Sequence, residues 1–186
     1  MRRADRTWWK LAVIGVLTAT EALAEDRQGR PRRRIVVSIP DRKLALIADG
    51  RVVRIWRTAV GALDTPSPTG TFAIVIRVAR PAHYVPGKVT PPGPKNPLGT
   101  RWLGLSRKGY GIHGTNVPGS IGRAASHGCI RMRNADVEEL FEMVGVGDMV
   151  ELHGERTAEV ARIFDGDSDG DGPHVPAVTA TSGAGD

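Results

Sequence analysis

The 186-residue chain is 40% hydrophobic, 25% charged and 5% aromatic, with 23 glycines, 13 prolines and a formal net charge of +6. This permits one domain with a real core, and the abundance of turn formers argues for a β-rich fold over a helical bundle. A single cysteine excludes an internal disulfide, and the basic cluster at residues 30–34 has no interleaved aromatics, which argues against a nucleic-acid partner.

The first element is a secretory signal over residues 1–24. Arg2, Arg3, Arg6 and Lys10 form a basic start, residues 11–17 (Leu-Ala-Val-Ile-Gly-Val-Leu) a short apolar run, and Ala22-Leu23-Ala24 a cleavage site. The apolar run is too short to span a bilayer. Export to an oxidising compartment is expected, where one unpaired cysteine reads as a retained reactive thiol. Residues 25–33 read as a basic linker, suited at most to weak attraction to an anionic envelope surface.

A folded domain is expected over residues 34–153. Residues 35–39 are β-branched and predict a strand. Asp49-Gly50 between apolar runs at 44–47 and 52–56 predicts a hairpin. A further strand follows at 70–76, entered from Pro66-Ser67-Pro68-Thr69. Residues 79–97, rich in proline and glycine, read as a long loop, where Tyr84 and His83 are candidates to line a substrate cleft. Short strands are predicted at 102–105, 110–113 and 149–152. One helix is predicted after the cysteine, capped by Asn134, carrying Val137, Leu140, Phe141 and Val144 on its core face and ended by Gly145. Residues 154–186 read as an acidic, disordered tail. Asp165, Asp167, Asp169 and Gly170 resemble the opening of a calcium loop, but Pro176 stands where its glutamate belongs.

The chemistry centres on Ser126-His127-Gly128-Cys129 and on His113, sixteen positions before the cysteine. A thiol becomes a nucleophile when a base takes its proton, and imidazole suits that task. His113 is the candidate base, with the Gly114 carbonyl as its orienter, and His127 is the rival base. Gly128 permits a tight turn in which the amides of His127, Gly128 and Cys129 converge on a developing oxyanion. Two histidines and a cysteine also suit zinc, but neither CxxC nor HxxxH spacing is present, so no metal or other cofactor is expected.

Gly111-Ile112-His113-Gly114-Thr115 followed by Ser126-His127-Gly128-Cys129-Ile130-Arg131-Met132 resembles the L,D-transpeptidase catalytic domain, the YkuD-type family. The segments Thr65-Pro66-Ser67-Pro68-Thr69-Gly70-Thr71-Phe72, Asn96-Pro97-Leu98-Gly99 and Gly147-Asp148-Met149-Val150 agree in order. The resemblance implies a mainly β, sandwich-like fold with one helix beside the active site. It implies a cysteine acyltransferase of cell wall biogenesis, working in the periplasm or cell wall on peptidoglycan stem peptides. Cys129 would attack the carbonyl of the third stem residue and release D-alanine. The acyl group would pass to an amine of a second stem, giving a 3-3 cross-link, or to a lysine of an outer-membrane lipoprotein. By position, Cys129 is the nucleophile, His113 the base and Gly114 its orienter, with His127, Gly128 and Cys129 forming the oxyanion hole. Arg131, Arg133, Ser126 and Tyr84 are the candidate substrate-binding residues, Ser126 also as a hydroxyl bracing the turn. With water as acceptor the same chemistry makes an L,D-carboxypeptidase. A non-catalytic wall-binding module is a third reading, disfavoured because it has no need of both His113 and Cys129.

Overall fold

A computed structural model describes residues 33–165. The signal and most of the linker therefore lie outside the described residues, as does the calcium-loop-like stretch beyond Asp165. Twelve strands run in chain order: β1 (Arg33–Ser38), β2 (Lys43–Ala48), β3 (Arg51–Arg57), β4 (Val60–Gly61), β5 (Gly70–Ala79), β6 (His83–Val85), β7 (Lys88–Thr90), β8 (Arg101–Leu105), β9 (Gly111–His113), β10 (Ala124–Ser126), β11 (Ile130–Arg131) and β12 (Met149–His153). Helix α1 (Asn134–Met143) precedes β12, and α2 (Ala158–Asp165) follows it. Eight strands form one curled sheet in the order β11-β9-β8-β5-β12-β1-β2-β3. The pairs β10-β4 and β6-β7 form small separate ribbons.

The predicted hairpin is present. Asp49 (φ 50°) and Gly50 (φ 75°) both take the left-handed conformation that a two-residue turn between twisted strands requires. The predicted long loop contains structure of its own, the β6-β7 ribbon, with Tyr84 opposite Val89. This proline-rich stretch is short of backbone donors, and buried Asn96 compensates. Its Nδ2 is shared among the carbonyls of Pro81, Thr90 and Pro91 at 2.8, 3.2 and 3.1 Å, while Oδ1 accepts the Leu98 N–H at 2.8 Å.

Strands β1 and β2 are buried on both faces, and period-2 alternation divides their side chains. Ile35, Val37, Leu44 and Leu46 point into the main core with Ile74, Leu103, Ile112, Met132 and the α1 residues Val137 and Leu140. Val36, Ala45 and Ile47 point the other way, against Val160 and Phe164 of α2. The folded domain thus extends to Asp165, and the reading of everything after residue 153 as disordered tail is corrected. Val160, Ile163 and Phe164 supply the helical apolar spacing that the Asp-Gly run beyond them overshadows. Phe164→Ala is expected to destabilise the domain by about 3–5 kcal/mol, because it opens a cavity over the β1-β2 face. Denaturant unfolding measures this, and a loss below about 1 kcal/mol would mean that α2 is not part of the cooperative unit.

Helix α1 presents the predicted apolar face, but its ends differ from expectation. Arg133 occupies the N-cap position without a side-chain cap, and Asn134 is the first helical residue. Asn134 is drawn elsewhere: its Oδ1 accepts the Thr115 N–H at 3.0 Å. At the other end Val144 is the C-cap, and the Gly145 N–H donates to Asp148 Oδ2 at 2.7 Å.

Candidate active site

The segment carrying Cys129 reaches His113 through strand pairing. Strand β11 runs parallel to β9, with Ile130 opposite Ile112 and Arg131 opposite His113. The Met132 N–H closes the pairing on the His113 carbonyl at 2.8 Å. The sixteen-residue interval is the crossover that parallel pairing needs, and it passes through β10, which pairs with β4.

His113 is buried, and its Nδ1 lies 2.6 Å from the Gly114 carbonyl oxygen. A carbonyl only accepts, so Nδ1 carries the proton and Nε2 keeps its lone pair. Trp102, opposite His113 in the β8-β9 register, stacks on the imidazole with ring centroids 5.6 Å apart. Gly104 and Gly111 make room for the indole: a Cβ on either would come within 2.8 Å of it. Burial lowers the His113 pKa to about 4; the Gly114 carbonyl opposes this, and the positive charge of Arg131 and His83 reinforces it.

Cys129 is half-buried, and its thiol lies 3.7 Å from the Gly109 carbonyl oxygen. Burial raises its pKa, while the Gly111 backbone and the Arg131 charge pull the other way. Burial thus favours the neutral form of both the thiol and the imidazole. The turn before the cysteine is braced from inside. Ser126 Oγ donates to the Cys129 carbonyl at 2.6 Å and accepts the Gly128 N–H at 3.1 Å. Gly128 has φ 101°, and a Cβ there would stand 2.7 Å from the Tyr110 ring, so glycine is required twice over.

Two expectations are corrected by these bonds. Ser126 is buried with its bonds inside the turn, which removes it from the substrate-facing set. The Gly128 amide is engaged by Ser126, so the expected three-amide oxyanion hole loses one of its donors. The loop at 62–69 holds the turn from behind. The Ala62 N–H and Thr65 Oγ1 both donate to the Ser126 carbonyl, at 2.9 and 3.1 Å, and Ser67 Oγ accepts the Gly61 N–H at 2.9 Å.

A cleft of about 530 Å³ opens over the thiol, lined by residues that include Val78, Ala82, His83, Tyr84, Trp102 and Cys129. Tyr84 lies in its wall. Arg131 is half-buried, and its Nε has no hydrogen-bond partner among the described residues. Arg133 is exposed at the start of α1 and does not line the cleft. No group of three or more His, Cys, Asp or Glu side chains suited to a metal ion occurs among the described residues.

Three groups went unassigned in the sequence. Trp102 was read only as a strand residue, although its place opposite His113 follows once β8 and β9 pair. Thr65 and Ser67 were matched only as part of a segment. Asn134 was read as a cap, yet its Oδ1 stands 2.2 Å from where a Cβ on Gly99 or Gly114 would be, and it holds the Thr115 amide. Helix α1 thereby anchors the strand end that carries the Gly114 carbonyl.

The fold recurs in solved structures. An L,D-transpeptidase from Mycobacterium smegmatis superposes with a TM-score of 0.56 at 23% identity, over 66% of this chain and 59% of that one. The catalytic domain of an Enterococcus faecium L,D-transpeptidase gives 0.54 at 24% identity, over 65% of this chain and 96% of that one. In sequence, YkuD of Bacillus licheniformis, an L,D-transpeptidase by name, is 44% identical over 119 residues, 64% of this chain and 64% of its own length. The match thus spans just under two thirds of that relative. The chain belongs to the YkuD family of L,D-transpeptidase catalytic domains, whose family model matches residues 32–152.

Proposed function

We propose that this chain is an exported peptidoglycan L,D-transpeptidase that uses Cys129 as its nucleophile. The observation that carries the reading is a half-buried thiol that opens on a cleft, just before a strand paired in parallel with the strand that ends in a buried imidazole, whose tautomer is set by the Gly114 carbonyl. Family membership supports the reaction class, and the signal-like sequence at residues 1–24 supports work in the periplasm or wall.

As a stem carbonyl enters the cleft, the Cys129 proton passes to His113 Nε2 and the sulfur bonds to the carbonyl carbon. The amides of His127 and Cys129 receive the oxyanion. His113 returns the proton to the departing amine of D-alanine, leaving a thioester. An acceptor amine attacks next, His113 takes its proton, and the thiol leaves as the new amide forms. Because the imidazole is neutral at rest, it takes the first proton without a prior ionisation step. Arg131 lies close enough to His113 and Cys129 to act on both electrostatically, which suits it to stabilise anionic states of thiol and substrate.

The test is incubation of the mature protein with disaccharide-tetrapeptide, read by mass. Cross-linked dimer with loss of D-alanine is expected. Tripeptide alone would assign an L,D-carboxypeptidase, and unchanged substrate would assign a wall-binding module. In the same assay Asn134→Ala is expected to lower kcat about 10- to 100-fold with KM nearly unchanged, because the strand end orienting His113 loses its anchor. Wild-type kcat in that variant would show that the helix contact has no bearing on the imidazole.

A further inference from the structure

Charge is divided sharply along this chain. Residues 57–135 hold eleven lysines and arginines and a single acid, Asp64. Residues 136–165 hold nine acids and two arginines. Every residue that lines the cleft over Cys129 belongs to the first stretch. The acids sit on α1, α2 and β12 with the turns around them, and several are neutralised there: Glu139 by Arg54, Glu138 by Arg101, Glu151 by Arg34.

Basic residues adjoining the cleft lining in sequence or across a strand pair are not neutralised. Arg80 directly precedes the lining residues Pro81 and Ala82; Lys88 faces Val85 across the β6-β7 ribbon; Arg107 and Lys108 directly precede Gly109, which touches the thiol. All four are exposed, and none makes an ion pair among the described residues. The Arg107 guanidinium lies 5.1 Å over the ring of Tyr110, the same ring that packs on Gly128. Arg131, whose charge acts on both His113 and Cys129, has a buried Nε with no hydrogen-bond partner among the described residues.

We infer that the cleft is a cationic docking groove that selects acidic peptides, so that stem peptides with free side carboxylates are preferred donors over amidated ones. This rests on the proposed function and names the chemical form of its substrate. A concave cleft of about 530 Å³ with apolar walls at Val78, Ala82 and Leu98 suits a short peptide better than a broad polyanion. Cations around the rim of an apolar groove focus the field and speed the arrival of anions, an effect that salt screens. The free carboxylates find guanidinium and ammonium groups without having to break existing ion pairs.

The only cysteine in the chain reports the field without any need for turnover. The mature protein is treated with dithiobis(nitrobenzoate), a dianion, and separately with neutral dithiodipyridine. Both react at the same sulfur, so the ratio of rates cancels changes in thiol reactivity. The expected anionic-to-neutral ratio, normalised to that of a free small thiol, is about tenfold in low salt and falls toward one in about 0.5 M salt. Arg107→Gln with Lys108→Gln should lower the ratio severalfold. Arg51→Gln, on the strand at the far end of the sheet from β11, should retain it. A normalised ratio near one at every salt overturns the inference, whatever the enzyme does to muropeptides.

The second arm measures protection of Cys129 from the neutral reagent by a D-alanine-terminated tetrapeptide with free carboxylates, and by the same peptide amidated. Stronger protection by the acidic form, lost in the double variant, supports the inference. Equal protection overturns it and assigns the positive face to another ligand, such as an anionic wall polymer. Selective protection without release of D-alanine would leave the inference standing while the proposed transpeptidase reaction fails.

Discussion

Cys129→Ala is expected to reduce release of D-alanine from tetrapeptide substrate by at least about 10⁴-fold, to the level of residual binding effects, as loss of a nucleophile does in acyl-transfer enzymes. The protein should remain folded. The thiol is half-buried at the edge of the core, and the turn that carries it is held through the Ser126 hydroxyl and the Cys129 carbonyl, neither of which the substitution removes. Mass analysis of muropeptides gives the activity, and a denaturant midpoint gives the stability. Product formation by the alanine variant at more than about one-hundredth of the wild-type rate would end the proposal that a cysteine thioester is formed. A carbapenem mass adduct on wild type that is absent from the variant would place the acylation on the same sulfur.

His113→Gln is the second large effect. Removal of a general base is expected to cost about 10³-fold in kcat/KM, and the pH profile separates that role from a packing role. In the folded protein His113 ionises near 4, below its ordinary 6.5. The base is therefore free from about pH 4 upward, and the acid limb of kcat/KM should fall near pH 4. The glutamine variant should lack that limb. The sign for stability follows from the same displacement. Between pH 6.5 and 4 the unfolded chain binds a proton that the native imidazole refuses. Stability from this group is complete above 6.5 and declines as pH falls, by on the order of 3 kcal/mol once pH is below about 4. His113→Gln should flatten that part of the stability profile. An acid limb well above pH 4 in wild type would mean that His113 is not the essential base, and His127 would return as the candidate.

Local patterns carried much of this molecule, and the missing parts are those set by distant pairing. The strands at 35–39, 44–47 and 52–56 and the Asp49-Gly50 turn were legible because alternation and turn chemistry act over neighbouring residues. His113 and Cys129 were legible because few residue types do this chemistry. The ribbon of β4 and β10 was not, since strands of two and three residues leave no periodic trace. Helix α2 was hidden by the acidic composition that follows it, although Val160 and Phe164 are buried. Asn134 shows the limit most plainly. As a helix opener it matches a capping rule, yet its oxygen goes to Thr115, nineteen residues back, because the helix packs there on strands that local reasoning cannot align.

Asn96 has a consequence for how the cleft wall comes apart. One amide ties together backbone from Pro81, Thr90, Pro91 and Leu98, across a stretch whose prolines cannot supply ladder donors. The β6-β7 ribbon pairs with no other strand among the described residues; the Asn96 bonds hold the stretch together from within, and Asn116 Nδ2 donates to its Lys95 carbonyl at 3.1 Å. The segment therefore behaves as one local unfolding unit. It is expected to open with a free energy below that of the whole domain, to which the Asn96 bonds contribute. Brief proteolysis of native protein should cut between residues 82 and 90 before any site in the sheet, and Asn96→Ala should hasten that cut while global unfolding changes little.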